Sequence, residues 1–281
     1  MQRMVYLNGE FIKAEDAKIS IFDRGFLFAD SVYEVIPVYK GNAYFIDRHL
    51  SRLQASLAAI KMTMPNLDFP SLFQELVTLN NSGDMQIYLQ ITRGTQNKRT
   101  HDIPNNLTPT VVLFTIHNSY PSFADKKKGL RAKLVEDNRW LRCNIKTTSM
   151  LANILLNDEA VVSGANTALL IRDGFLTEGS ASNVFMVDKA GVIHTPPQTN
   201  LCLPGITRQL TIELITALHM PFKESMISKS NLLDAQEVWI TSTTKEIYPI
   251  TQLDDKPVGE GKGGKYWEIL DNQYQNLIKT L

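Results

Sequence analysis

A chain of 281 residues, 43% hydrophobic and 21% charged, has enough apolar mass for one large or two moderate cores. Its 29 basic and 29 acidic residues cancel, so bulk charge favours neither nucleic acid nor an anionic membrane, and a charged ligand must be met by local groups. Cys143 and Cys202 are the only cysteines, which excludes a disulfide framework or a cysteine-rich metal site and fits a reducing compartment. The opening MQRMVYLNGEFI has no apolar signal core, and no run of about 18 apolar residues occurs, so the expectation is a cytoplasmic protein without a membrane span.

Residues 4–12 alternate about Asn8-Gly9, the strongest short hairpin signal in the chain. SVYEVIPVY, 31–39, alternates as well, and Gly41-Asn42 is expected to turn it back into a strand over 43–46. Between them DRGFLFAD, 23–30, reads as a loop. The two-residue period of a strand sends Tyr33 and Glu34 to opposite faces, so one can face a site while the other faces a core or a partner. Ordinary strand packing explains Tyr33 as well.

From residue 47 the period becomes helical, with Leu50, Leu53, Leu57 and Ile60 on one stripe. Arg48 and Arg52 lie beside it, a spacing that more often marks a solvated face. A second helix over 70–81 leads through Ser82-Gly83-Asp84 into the strand QIYLQITRG. The long polar loop 96–109 follows, then the apolar strand TVVLFTI. In that loop Arg99 and His101 stand two apart, which on extended backbone puts both side chains on one side, where they can bind a carboxylate. A solvated basic loop is the plainer explanation.

HNSYPSFADKKKGL is the best linker in the chain, and the domain boundary is placed at 121–126, between domains of 1–120 and 127–281. The Lys126-Lys127-Lys128 run reads as a solvated connector. Residues 135–160 start in strand formers and end with Met150, Leu151, Ile154, Leu155 and Ala160 on one helical face. At the junction stands Lys146, between Ile145 and a Thr-Thr-Ser run able to cap the helix. Partly desolvated lysines become nucleophiles or Schiff-base formers, although by spacing alone a lysine snorkelling from the surface is commoner.

Strands and tight turns follow in TALLIRDG, FLTEGSASNVFMVD and GVIHTP, then helices over 206–218 and 230–234, the strand EVWITST and a closing helix over 265–279. Ser180, Ala181 and Ser182 leave little bulk beside Glu178, whose carboxylate can lie against a flat ligand. The loop LPGITR opens onto a helix, whose first amides suit a phosphate, and the turn Thr241-Ser242-Thr243-Thr244 offers donors of the same kind. Each loop alone is equally an ordinary cap or turn. GEGKGGKY, 259–266, nearly matches a phosphate loop, but Tyr266 stands where Ser or Thr must hold magnesium, so it is assigned to a plain loop. No HExxH, paired CxxC, GxSxG or GxGxxG occurs, and no metal site is expected.

A lysine, an acid, two phosphate-suited loops and an arginine on a helix are the groups a cofactor with an aldehyde, a ring nitrogen and a phosphate would use, which points to pyridoxal phosphate. NGEF, DRGFLFADSVYEV, the arginine helix, ITRGT, VEDNRWLRCNIK, LTEGSASNVF, LPGITR and WITSTTKEI, in that order, resemble the fold-type IV (class IV) aminotransferases over nearly the whole chain. Within them the bacterial D-amino acid aminotransferases are the most similar. The resemblance implies an α+β fold of two domains: a smaller N-terminal α/β domain, and a larger β-barrel-like C-terminal domain with helices that carries the cofactor lysine.

It further implies that Lys146 bonds the cofactor aldehyde and moves the substrate α-proton, that Glu178 keeps the pyridine nitrogen protonated, and that Leu203 braces the ring. Arg52 would grip the phosphate in a bidentate contact, with the amides of Ile206 and Thr207 and the Thr243 turn. Tyr33, Arg99 and His101 would bind the substrate α-carboxylate, the loop coming from the other subunit of a homodimer. That loop is one residue longer than the family's between RGT and the arginine. The implied reaction is a ping-pong transamination between D-amino acids, D-alanine or D-glutamate first among them, and 2-oxo acids. Branched-chain L-aminotransferases, (R)-amine aminotransferases and aminodeoxychorismate lyase share the framework, and the Arg-x-His pattern is the reason for preferring D-amino acids.

Overall fold

The computed structural model describes residues 3–117 and 119–280; Met1, Gln2, Leu281 and, within the expected linker, Asn118 lie outside the described residues. The chain divides into two units, Met1–Ser119 with Ile145–Ser149, and Tyr120–Asn144 with Met150–Leu281.

In the first unit the chain runs β1 (Met4–Leu7), β2 (Glu10–Lys13), α1 (Arg24–Phe28), β3 (Ser31–Tyr39), β4 (Asn42–Ala43), α2 (Ile46–Ala59), α3 (Phe69–Leu79), β5 (Met85–Thr92) and β6 (Thr110–Ile116). The strands form one sheet in the order β2-β1-β6-β5-β3-β4. Every pairing is antiparallel, and the helices lie against this sheet, which gives the unit its share of the expected α+β fold. Asn8 and Gly9 both have positive φ, 50° and 112°, which gives the β1–β2 hairpin the twist-matched turn its sequence foretells.

The next turn falls on Lys40 and Gly41, at φ 52° and 81°, one residue earlier than expected. It leaves a return strand of two residues, because left-handed Phe45 starts a helix at Ile46. Residues 23–30 are likewise not a plain loop: the Asp23 carboxylate accepts the Gly25 N–H and starts α1, and left-handed Ala29 ends it. Leu53 and Leu57 of α2 are fully buried against Val32, Ile36 and the rest of this core, each contributing roughly 1.5–3 kcal/mol.

Ile145–Ser149 belongs to this unit, which corrects the placement of Lys146 in a C-terminal domain. Tyr33 N–H donates to Lys146 O at 3.0 Å, Thr148 N–H to Ser31 O at 3.2 Å, and Thr147 bridges Val32. The Thr-Thr-Ser run is spent on β3 rather than on a helix cap: Thr147 Oγ1 donates to Ser31 O, and the Thr148 and Ser31 hydroxyls meet.

The second unit contains α4 (Phe123–Lys128), β7 (Leu130–Glu136), α5 (Leu151–Val162), β8 (Thr167–Arg172), β9 (Phe175–Gly179), β10 (Asn183–Val187), β11 (Ile193–Thr195), α6 (Ile206–Ala217), β12 (Phe222–Glu224), α7 (Lys229–Leu233), β13 (Glu237–Ser242), β14 (Glu246–Leu253), β15 (Lys256–Pro257) and α8 (Lys265–Thr280). Its curled sheet runs β12-β11-β10-β13-β14-β7-β8-β9, with β15 beside β14. Pairing is mixed, β7 being parallel to both β14 and β8. Only Leu156 and Ala160 of α5 are buried, against Val135, Ala168 and Leu170. The face carrying Leu151, Ile154 and Leu155 is exposed in the single chain.

Lys126 is not a solvated connector. It lies in α4, 1% exposed, with Nζ 2.5 Å from Glu246 Oε2 and 2.6 Å from Asp271 Oδ1. Its partners come from β14 and α8, more than a hundred residues on, which no local pattern announces. Lys126→Met leaves two buried carboxylates without a cation and is expected to cost about 3–5 kcal/mol in urea unfolding. A loss below about 1 kcal/mol would show that the pair is not held as described.

Candidate active site

Alternation along β3 sets up the first group of residues. Glu34, fully buried, points at α2, where Arg52 donates Nε to Oε1 at 2.8 Å and Nη2 to Oε2 at 2.7 Å. His49 Nδ1 lies 2.7 Å from Oε2. Burial works to raise the Glu34 pKa, but the charge and hydrogen bonds of Arg52 overcome it and hold the carboxyl down to about 2. An ionised carboxylate only accepts, so His49 Nδ1 carries the hydrogen, and burial lowers the pKa of that imidazole, keeping it neutral. Arg52 is therefore no solvated surface residue. Its Nε edge is already committed to Glu34, so the bidentate grip expected on a phosphate is not available at that edge.

Tyr33 takes the opposite face. Its ring stacks on Tyr88 with centroids 5.5 Å apart, and Lys146 Nζ stands 4.1 Å from its centroid. Lys146 is half-buried, its N–H donating to Ser56 Oγ at 3.2 Å and its carbonyl accepting from Tyr33. Both peptide groups are thus tied to the first unit, unlike those of a lysine snorkelling beside a helix start. Arg99 and His101 are exposed and gathered on one ring: Arg99 Cζ lies 5.0 Å from the Phe28 centroid, and the His101 ring meets Phe28 edge-on at 5.4 Å.

The second unit holds the other predicted residues. Glu178, at the end of β9 and 5% exposed, receives Arg139 Nη1 on Oε1 at 2.6 Å and the Leu203 N–H on Oε2 at 2.9 Å. Arg139 gives its Nε and Nη2 to Asp137 at 2.9 and 3.0 Å. Burial pushes the Glu178 pKa up and prevails over Arg139 and the Leu203 amide, which pull it down. Asn183 donates to Leu203 O at 2.8 Å and so ties the Glu178 strand to the loop before α6.

That loop ends at Gly205, the N-cap of α6, which supplies no side-chain cap to the helix that starts with Ile206 and Thr207. A Cβ at Gly205 would collide with Asn183 Oδ1. Thr243 lies half-buried in the β13–β14 turn. Beside these groups, Ser182 Oγ and Thr241 Oγ1 are buried without a hydrogen-bond partner. The rejected phosphate-loop sequence behaves otherwise: the Glu237 carboxylate takes the Tyr266 and Trp267 N–H groups at the start of α8. No cluster of metal-ligating side chains occurs among the described residues, and no helix among them is long and apolar enough to cross a membrane.

Sequence reasoning missed Glu34, His49, Arg139 and Asn183 as site residues. Strand period had placed Glu34 opposite Tyr33, and Arg139 lies inside a motif used for the resemblance, but their partners are tertiary. For Glu34 the consequence is measurable. A carboxyl depressed from 4.5 to about 2 contributes stability that is complete above the unfolded value and is lost as pH falls toward the folded one. Glu34→Gln should therefore lower the melting temperature markedly near pH 7, with the gap to wild type narrowing as pH approaches about 3. A gap that is independent of pH would count against an ionised Glu34.

The amino-transferase class IV family model matches residues 31–253. The D-alanine aminotransferase of Bacillus licheniformis is 38% identical over 276 residues, covering 98% of this chain and 96% of that protein. That of Listeria monocytogenes is 40% identical over 263 residues, covering 92% and 91%. A crystal structure of the T.th. branched-chain amino acid aminotransferase with pyridoxamine 5'-phosphate is similar at a TM-score of 0.87 and 25% identity, covering 98% of this chain and 93% of that one. With the family match spanning most of its length and relatives this similar along nearly all of it, the chain belongs to the class IV aminotransferases.

Proposed function

We propose that the protein is a D-amino acid aminotransferase, moving an amino group between D-amino acids and 2-oxo acids with pyridoxal 5'-phosphate as cofactor. The observation that carries this reading is the pair Arg99 and His101, exposed together on Phe28 in a chain whose relatives are D-alanine aminotransferases. Two cationic or hydrogen-bonding groups on one side of a loop suit a carboxylate.

The residues present fit the cofactor. Glu178 is a buried carboxyl suited to a ring nitrogen, the start of α6 lacks a side-chain cap, and Ser182 and Thr241 offer unpartnered hydroxyls nearby in the chain. Pyridoxal phosphate supplies an aldehyde that takes the amino group and a ring that draws electrons from the substrate Cα. Lys146 Nζ would bond the aldehyde between turnovers, then remove the substrate α-proton and return it. Glu178 would share a hydrogen with the ring nitrogen and keep it positive, its oxygens oriented by Arg139 and the Leu203 amide. The Ile206 and Thr207 amides and the Thr243 turn would take the phosphate, with Leu203 bracing the ring. Arg52, tied to Glu34, would contribute positive charge there.

Tyr33, Arg99 and His101 would hold the substrate carboxylate, the loop serving the partner subunit of a homodimer. Supporting a dimer, α5 exposes Leu151, Ile154, Leu155 and Val162 at 69, 59, 60 and 81%, an apolar face that a second copy would cover. The two buried free thiols suit the reducing cytoplasm, where we place the reaction.

Purified enzyme should turn over D-alanine or D-glutamate with 2-oxo acids, and turnover of L-leucine alone would overturn the substrate reading. Lys146→Ala should lose the visible absorbance of the bound cofactor and reduce kcat by about a thousandfold or more. Arg99→Ala should raise KM for D-alanine about tenfold or more while cofactor affinity holds; a fall in cofactor affinity alone would displace Arg99 from the carboxylate site. The double substitution Ile154→Glu with Leu155→Glu should sediment as a monomer, whereas an unchanged sedimentation coefficient would remove α5 from the interface.

A further inference from the structure

The loop that carries Arg99 and His101 has little backbone to hold it. Among the described residues, no backbone-to-backbone hydrogen bond joins residues 97–107 to the rest of the unit. Side chains do that work, and Arg24 supplies most of it. Arg24 is the first residue of α1 and is 4% exposed. Its Nη1 donates to Thr100 O at 2.9 Å, to Asp102 O at 3.2 Å and to Gln96 Oε1 at 2.8 Å, and its Nη2 lies 3.5 Å from His101 O. One guanidinium therefore gathers three consecutive carbonyls around His101. Gln96 Nε2 adds a longer contact to Thr100 O at 3.4 Å.

The head of Arg24 is itself fixed. Nε donates to Asp30 Oδ2 at 2.8 Å, and Asp30 is gripped from the other side by Arg93, through Nε at 2.7 Å and Nη2 at 2.9 Å. The Arg24 N–H donates to Gly94 O at 2.9 Å, so helix and loop base are joined at the backbone too. One turn along α1 stands Phe28, the ring that receives Arg99 and His101, and Arg24 Cζ lies 4.9 Å from its centroid. Arg24 thus fixes both the path of the loop and the ring on which its two side chains rest.

We propose that Arg24 is the positioning residue of the substrate-carboxylate site, acting through the loop backbone and Phe28 to place Arg99 and His101. The proposal rests on the carboxylate reading of that pair. Five N–H donors in a rigid fork can serve Asp30, Gln96 and the carbonyls at once, which the three donors of a lysine on a flexible stem cannot. A carboxylate clamp displaced by about 1 Å loses on the order of a hundredfold in efficiency, so the anchor is as consequential as the clamp.

The test uses holoenzyme variants Arg24→Lys, Arg99→Ala and their combination. Arg24→Lys should raise KM for D-alanine about tenfold, with kcat changed by less than about threefold and the visible cofactor spectrum unchanged. In the Arg99→Ala background the same substitution should add less than about threefold, because only His101 then remains to be positioned. If Arg99→Ala raises KM and Arg24→Lys does not, or if the two effects multiply, Arg24 is not acting through Arg99 and the proposal falls while the carboxylate reading stands. If Arg99→Ala itself leaves KM unchanged, the carboxylate reading fails first. Should Arg24→Lys not fold, Gln96→Ala removes the second anchor: a rise in KM alone supports the proposal, and an unchanged KM overturns it.

Discussion

Along β3 the pleat sends Tyr33 to one face of the sheet and Glu34 to the other, and that alternation separates a buried charge cluster from the half-buried Lys146. On the Glu34 face, Arg52 and His49 complete a sealed network that locks α2 against the strand. On the Tyr33 face, Lys146 lies over an aromatic ring while its peptide groups bond to β3 and α2. A shift of β3 by one residue would exchange the two environments, exposing the carboxylate to the lysine side and leaving Arg52 buried without its partner. The register with β5, continuous from Ser31 to Val38, holds that exchange off.

Two buried carboxylates of similar isolation reach opposite electrostatic outcomes. Taking such a group out of water costs several kcal/mol, and the ionised form survives only with enough donors. Arg52 gives Glu34 two N–H groups and His49 a third, so that carboxyl is held low. Arg139 gives Glu178 one N–H and spends two on Asp137, whose charge opposes ionisation, and with only the Leu203 amide added burial prevails and the Glu178 pKa rises. The difference lies in how each guanidinium fork is divided.

Much of the fold was legible because its signals are local. The Asn8-Gly9 hairpin, the full extent of β3, the leucine stripe of α2 and the strands flanking Glu178 follow from turn chemistry and period. Residues 23–30 misled because a helix of five residues has no apolar period to show, only the Asp23 cap. Lys126 misled because a run of three lysines looks solvated until Glu246 and Asp271 arrive from far along the chain. The α5 pattern was read correctly as a helix, yet its Leu151, Ile154 and Leu155 face turned outward while Leu156 and Ala160 took the core. Ala160, expected on the face of Leu151, Ile154 and Leu155, instead lies half a turn away on the buried side.

By itself the sequence determined the family to which the chain belongs and the order of the motifs that carry it, since these depend on identity and short spacing alone. Tertiary structure decided that Lys146 joins the first unit, that Arg52 answers to Glu34, that Arg139 stands behind Glu178, and that Arg24 anchors the loop of Arg99 and His101. The last three contacts join separate elements, from 18 to 76 residues apart, and each involves a buried or half-buried polar group. Burial is a property of the folded chain, so the partner that makes such a group tolerable becomes known only once the chain is folded.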